Sequence, residues 1–162
     1  NKDGSGILKA GNGGYGQHAG DDIADSTAAL ALDSSAFGKT FWCLLDGAAK
    51  TVTLPASVSK DDVGKQIKIL QRVDLVASGV LTISAGSSNT LSANSYALGV
   101  GIDEFRPAEA NNTITITGAN TNSAWGENSS LTATVVAEGE YMVELDARAL
   151  GNGSDAIAFS TV

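Results

Sequence analysis

Residues 37–91 decide the fold of this chain, and they read FGKTFWCLLDGAAKTVTLPASVSKDDVGKQIKILQRVDLVASGVLTISAGSSNTL. Two short apolar runs come first, and Pro55 ends the second one because proline cannot donate to a sheet ladder. The segments Gln66–Gln71 and Val80–Ser84 then alternate apolar and polar residues, which is the two-residue period of half-buried strands. We therefore expect this stretch to form short strands separated by turns.

The same period continues in the second half of the chain. Strands are predicted at Thr113–Thr117, Leu131–Ala137, Glu140–Leu145 and Ala156–Phe159. Many short strands at this spacing predict an all-β fold, either a β-sandwich or a jelly-roll-like barrel of about eight to ten short strands. The connections are too short for βαβ crossovers, and the absence of a strict internal repeat disfavours a solenoid or a propeller.

Three segments leave alternatives open. Ala28–Leu32 alternates weakly, so a strand there competes with a helix through Asp22–Leu32. Ser57–Val63 predicts a single helical turn, which Ser59 would cap at its N-terminus. Residues 92–110 have no clear period and are interpreted as a long functional loop or as a poorly patterned pair of strands.

Composition and charge exclude several classes of partner. The chain has 162 residues, the size of one domain, and its 18 acidic and 10 basic side chains leave a net charge of −8. The basic residues are dispersed, so we expect neither a nucleic-acid partner nor binding to an anionic membrane, which both need concentrated positive charge. No apolar run reaches the roughly 20 residues of a membrane helix, and residues 1–20 lack the apolar core of a signal peptide.

Charged residues make up only 17% of the chain. Because interface cores are depleted of charge, this low fraction indicates that a partner covers part of the outer surface. A solvent-exposed face that is simply rich in Thr and Ser is the alternative.

The chain divides into an extended Gly-rich N-terminal arm, residues 1–22, and a single β-rich domain, residues 23–162. A stretch this rich in glycine cannot hold a fold alone, because ordering glycine has the largest backbone entropy cost. Ile7, Leu8 and Tyr15 are the large apolar side chains of the arm and are predicted to bind a neighbouring subunit. A disordered terminus is the alternative.

No motif in the sequence predicts catalysis, a cofactor or a metal. Residues 11–16 match the spacing G-x-G-x-x-G but are not placed between a strand and a helix, as a dinucleotide site requires. His18 is the single histidine and Cys43 the single cysteine, too few for a zinc site. Acidic turns leave calcium as an alternative, although none fits the EF-hand pattern. We expect no enzymatic activity.

The two tryptophans are the remaining candidates for binding. Trp42 lies in an apolar run beside Cys43, and both are expected to be buried. Trp125 lies in a polar segment and is predicted to bind a partner or to pack within its loop, with a sugar-stacking ring as the alternative.

Four landmarks follow one another between residues 30 and 91: Gly38-Lys39-Thr40 before an apolar strand, then Thr51-Val52-Thr53-Leu54-Pro55, Gly64-Lys65-Gln66-Ile67-Lys68-Ile69 and Gly79-Val80-Leu81-Thr82-Ile83. This order resembles the head decoration (cement) proteins of tailed bacteriophages. Weaker similarity covers residues 113–118 and 151–159. The landmarks are structural rather than catalytic, and the Gly-rich arm departs from the pattern.

The resemblance implies a structural virion protein on the outer surface of the capsid. Such proteins commonly form homotrimers that bind the major capsid protein and clamp neighbouring capsomers. The main alternative is a receptor- or glycan-binding module of a head fibre or tail fibre, which would use Trp125 and residues 92–110. A hydrolase of cell-surface polysaccharide is a third reading, and it needs two carboxylates that converge in one cleft.

Overall fold

The computed structural model describes residues 18–23, 29–44, 47, 49–73, 79–99, 102–105, 111–117, 125–148 and 157–160. Within these ranges the chain forms thirteen strands and two single turns of 3-10 helix, at Ser34–Ala36 and Lys60–Asp62. The all-β prediction is confirmed. In this part of the chain, no helix has the length and apolar character needed to cross a membrane.

The first six strands are β1 (His18–Ile23), β2 (Ala29–Ala31), β3 (Lys39–Cys43), β4 (Ala49–Thr53), β5 (Gln66–Gln71) and β6 (Val80–Ser84). The next four are β7 (Thr90–Leu91), β8 (Tyr96–Gly99), β9 (Ile102–Phe105) and β10 (Thr113–Thr117). The last three are β11 (Ser130–Ala137), β12 (Glu140–Ala147) and β13 (Ile157–Ser160). The strands predicted between residues 40 and 159 are all present.

The strands form two mixed sheets. Sheet 1 has eight strands in the order β1-β3-β5-β11-β12-β8-β9, with β7 also paired to β12. Sheet 2 has five strands in the order β13-β10-β6-β4-β2. Buried side chains from both sheets belong to a single apolar cluster, so the sheets pack as a sandwich around one core.

The first six strands alternate between the two sheets. Strands β1, β3 and β5 pair in parallel in sheet 1, and β2, β4 and β6 pair in parallel in sheet 2. The chain therefore makes three successive turns, which we call the parallel coil. The sequence disfavoured a solenoid because it has no strict repeat, yet this winding needs only apolar residues on one side of each strand.

The second half of the chain is mainly antiparallel. Strand β10 pairs with β6, and β11 pairs with both β5 and β12 in antiparallel ladders. A two-residue turn, Glu138-Gly139, joins β11 to β12, and Gly139 has a φ of 71°, a left-handed conformation that glycine adopts without strain. We call these two strands the hairpin.

The alternation of apolar and polar residues along the strands determines which side chains form the core. In β5, Ile67 and Ile69 are buried while Gln66 and Lys68 face outward, and β12 buries Tyr141 and Val143 in the same manner. Cys43 is fully buried, as predicted for a small apolar residue.

Two ambiguous segments are resolved in favour of strands. Ala29–Ala31 forms β2 instead of part of a helix, because Leu30 pairs beside Val52 in the ladder with β4. Within residues 92–110, β8 and β9 form an antiparallel pair at one edge of sheet 1. The predicted turn after Ser57 is also present, with Ser59 at its N-terminus.

The predicted end of the arm at residue 22 is wrong. Strand β1 begins at His18 and pairs in parallel with β3, so residues 18–22 belong to sheet 1. β1 is the edge strand, so the ladder pairs its backbone on one side, and buried Ile23 anchors the end of the strand. Residues 1–17 of the predicted arm lie outside the described residues.

Candidate functional site

The predicted binding residues fall into two groups. Ile7, Leu8 and Tyr15 lie outside the described residues. Trp125 is 0% exposed, so its ring offers no surface to a partner or a sugar, and the predicted partner-binding role is corrected to a packing role. Trp125 is buried because hydrogen bonds hold its segment against a core strand. The polar residues beside it in the chain do not indicate this burial.

The fastening point of Trp125 is Gln71 at the end of β5. The indole N–H of Trp125 donates to Gln71 Oε1 at 2.7 Å, and the backbone N–H of Gln71 donates to the carbonyl of Ser129 at 2.9 Å. The N–H of Asn128 in turn donates to the carbonyl of Gln71 at 3.0 Å. We call these four residues the Gln71 junction; it links the parallel coil to the segment that leads into β11.

Trp42 also differs from its prediction. It is half-buried on the outer side of sheet 1, where the guanidinium of Arg72 lies over its ring at 4.7 Å from the centroid. Trp42, which was expected to be buried, is therefore partly exposed, and Trp125, which was expected in a loop, is buried.

The outer side of sheet 2 is a plane of small neutral side chains. Thr82 on β6 lies between Thr51 of β4 and Thr115 of β10, and Ser84 lies beside Thr53. These positions alternate with buried Val52, Ile83 and Ile114, so they point away from the core. We call Thr51, Thr53, Thr82, Ser84 and Thr115 the threonine face.

The described strands of sheet 2 present no ionisable side chain on this outer side. Ala29, Ala31 and Ala49 extend the surface toward β2, and Thr117 extends it along β10. The single charged residue in these strands, Lys50, lies beside core-facing Leu81 and is 3% exposed. In a protein with a net charge of −8, the described strands of sheet 2 thus keep their outer side neutral.

The outer side of sheet 1 has a different character, and its side chains line up across five strands. One cross-strand row contains Thr40, Lys68, Thr132, Glu144 and Tyr96. The neighbouring row contains Trp42, Leu70, Ser130, Asp146 and Leu98. We call these two rows the charged face.

A depression of about 350 Å³ lies on the charged face. Its polar lining comes from Glu144 and Asp146 of β12, Ser130 and Thr132 of β11, and the phenol of Tyr96, while Leu98 and Leu145 supply apolar surface. The small side chains of β11 leave this space because their neighbours on β12 and β8 are longer. The two carboxylates that a polysaccharide hydrolase would need therefore do line one depression.

Sequence reasoning missed these residues. The alternation Glu144-Leu145-Asp146 places both acids on one side of β12, a signal that was available. The position of Tyr96 beside Glu144 was not predictable from the sequence, because β8 pairs in parallel with β12 and no local sequence pattern indicates that pairing.

Within the described ranges, no three His, Cys, Asp or Glu side chains are grouped to hold a metal ion. Comparisons of the chain with family models, curated proteins and solved structures found no match.

Proposed function

We propose that this protein is a structural component of a phage virion that binds the outer surface of the capsid and bridges capsomers. The observation that carries the proposal is the neutral threonine face on an otherwise acidic protein. Interface cores are depleted of charged residues, and the described strands of sheet 2 carry none on their outer side. The resemblance of residues 30–91 to decoration proteins gives the partner, the major capsid protein.

The threonine face suits contact with another protein. Threonine and serine present methyl and hydroxyl groups, which lose less hydration free energy on burial than charged groups do. Their short side chains also lose little conformational entropy. A homotrimer would present three such faces, and linked contacts reach high avidity even when each contact is weak.

The arm belongs to the same proposal. Ile7, Leu8 and Tyr15 would bind a neighbouring subunit, since an extended segment that orders on its partner can cover a large surface. Because β1 begins at His18, the test is deletion of residues 1–17, which removes no residue of the described strands of sheet 1. Deletion should reduce occupancy on heads and leave the unfolding midpoint unchanged.

The main test is a lysine at the centre of the threonine face. Thr82→Lys would place an ammonium group without a partner inside the contact, which costs several kcal/mol, so binding to heads that lack this protein should weaken about 100-fold or more. The matched control is Thr132→Lys, which adds the same charge at the centre of the charged face. Co-sedimentation with heads measures both.

Equal binding by Thr82→Lys and the unaltered protein would reject the threonine face as the contact. Copy number in purified virions, measured by quantitative peptide mass spectrometry, tests the proposal as a whole. Copies commensurate with the major capsid protein support it, a dozen or fewer indicate a fibre module, and absence from the particle rejects it.

A further inference from the structure

The depression on the charged face is lined by one carboxylate that is already held in place and by a second one in a surface ion pair. The Tyr96 hydroxyl donates to Glu144 Oε1 at 2.9 Å, which orients this carboxylate and leaves its second oxygen available to accept. The guanidinium of Arg148 contacts Asp146 through Nε at 3.0 Å and Nη2 at 2.7 Å, both to Oδ2. Glu144, a partly buried carboxylate held by Tyr96, therefore loses little entropy when a ligand binds, while Asp146 and Arg148 form a largely exposed pair.

The charge around the depression is balanced. Glu144 and Asp146 are acidic, Arg148 is paired with Asp146, and Lys68 lies across from Thr132 on the neighbouring strand. Arg148 and Lys68 lie beside the depression without lining it, so they offset the attraction of the two carboxylates for a cation, while an anionic ligand would meet those carboxylates directly. Neither sign of charge is favoured, so the electrostatics suit a neutral ligand.

The polar groups require a ligand that both donates and accepts. The carboxylates and the Tyr96 hydroxyl oxygen accept, and the Ser130 and Thr132 hydroxyls both donate and accept. Leu98, which is 45% exposed, and the ring of Tyr96 add apolar surface beside them. A sugar ring combines these properties, because it carries hydroxyl groups around its rim and C–H groups on its faces.

We propose that the depression binds a neutral saccharide. Its volume of about 350 Å³ falls in the range of roughly 300–1,000 Å³ that small-molecule sites occupy, which is enough for a short oligosaccharide. The site lies on the opposite side of the sandwich from the threonine face, so the protein could hold a glycan while attached through sheet 2. The proposal is independent of capsid binding.

The test is a titration with neutral gluco-, manno- and galacto-hexasaccharides, with a chitosan hexamer and a hexagalacturonate as cationic and anionic probes. Amide NMR shifts measure binding. We expect at least one neutral probe to bind with a Kd below about 1 mM, with shifts centred on Leu98, Ser130 and Thr132. Glu144→Gln should weaken this binding about tenfold, because a charged acceptor is lost while the shape is kept.

Two lysine variants separate this proposal from the previous one. Thr132→Lys would fill the depression and abolish saccharide binding while leaving head binding intact, and Thr82→Lys would do the reverse. Both positions are outward, so circular dichroism should report an unchanged fold. The saccharide proposal fails if no neutral probe binds with a Kd below about 1 mM, if a charged probe binds better, or if Thr132→Lys binds as well as the unaltered protein.

Discussion

The parallel coil and the hairpin have similar alternating sequences but find their partners in different ways. In the coil, Lys50 lies beside Leu81, and paired residues are separated by roughly 20 to 30 positions in the chain. In the hairpin, Ala137 lies beside Glu140 across a turn of two residues. Local pairing is specified by the turn and the alternation, whereas pairing in the coil depends on the core that its strands share.

The difference gives special weight to the contacts that join the two regions. The Gln71 junction links β5 to the segment before β11, and the Tyr141 hydroxyl of the hairpin donates to the carbonyl of Pro55, just beyond β4, at 2.9 Å. Asn89 reinforces this end of the sandwich, since its amide donates to the carbonyls of Ala56 at 3.0 Å and Ala85 at 2.8 Å. Substitutions at these contacts test how strongly the parallel coil and the hairpin depend on each other for stability.

The largest effect is expected for Trp125→Ala. It would remove a fully buried indole and leave Gln71 Oε1 without this donor, so the free energy of unfolding should fall by about 3–5 kcal/mol. Urea denaturation measures the loss. If the junction joins coil and hairpin, the slope of the transition should also decrease, because the two regions would no longer unfold together.

Trp42→Ala is the matched control. It removes the other tryptophan from a half-buried site where Arg72 lies over the ring, an interaction worth about 1 kcal/mol. A loss as large as that of Trp125→Ala would contradict the assigned difference between the two sites.

A smaller effect is expected for Tyr141→Phe. The variant keeps the buried ring but loses the hydrogen bond to Pro55, which should lower the free energy of unfolding by about 1 kcal/mol. Asn89 also donates to the Pro55 carbonyl, at 3.3 Å, so that acceptor keeps a partner.

Stability at alkaline pH tests whether burial keeps the Tyr141 hydroxyl neutral. Burial, and to a smaller degree the negative charge of Asp62, raises the pKa of Tyr141 well above its ordinary value of 10.0. Because the pKa is higher in the folded state, the stability from neutral Tyr141 is complete below pH 10.0 and is lost as the pH rises further. Tyr141→Phe should therefore lose less stability than the unaltered protein above that pH. Parallel pH curves would show that Tyr141 ionises without penalty.

The strands with strong alternation were predictable from the sequence, whereas β1 lay within the predicted arm, β8 and β9 lay in a segment without a clear period, and the pairing of the coil was not predictable. Alternation in β5, β6 and β10 is local and strong, and Glu138-Gly139 identifies the hairpin turn. No local sequence pattern indicates that β3 pairs with β5, because this pairing depends on both strands burying their apolar sides in one core.

The candidate surfaces were only partly predictable for the same reason. The low charge of the chain indicated a covered surface, but only strand register brings Thr51, Thr82 and Thr115 into one row. The depression depends on a parallel partner, β8, that has little pattern of its own. Burial of Trp125 depends on Gln71, which is distant in sequence and close in the fold.

The smallest effect concerns Asp62, a local contact that precedes β5 in the coil. Its carboxylate accepts from Lys65 Nζ at 2.6 Å, from the Ser59 N–H at 2.9 Å and from the Ser59 hydroxyl at 2.8 Å. Lys65 first and Ser59 second lower the pKa of Asp62 to about 2, below its ordinary value of 3.8. The stability from ionised Asp62 is therefore complete above pH 3.8 and disappears as the pH falls through about 2.

Asp62→Asn should be slightly less stable than the unaltered protein near neutral pH, and the gap should close toward pH 2. Because the Asp62–Lys65 ion pair is solvent-screened, high salt should narrow the same gap at neutral pH. Urea midpoints at both pH values measure it. A gap that persists at low pH and in high salt would mean that Asp62 acts by shaping the turn at Ser59 rather than by its charge. The turn at Ser59 would then help to specify strand pairing in the coil, as the Glu138-Gly139 turn does in the hairpin. Local turns would in that case guide pairing in both regions.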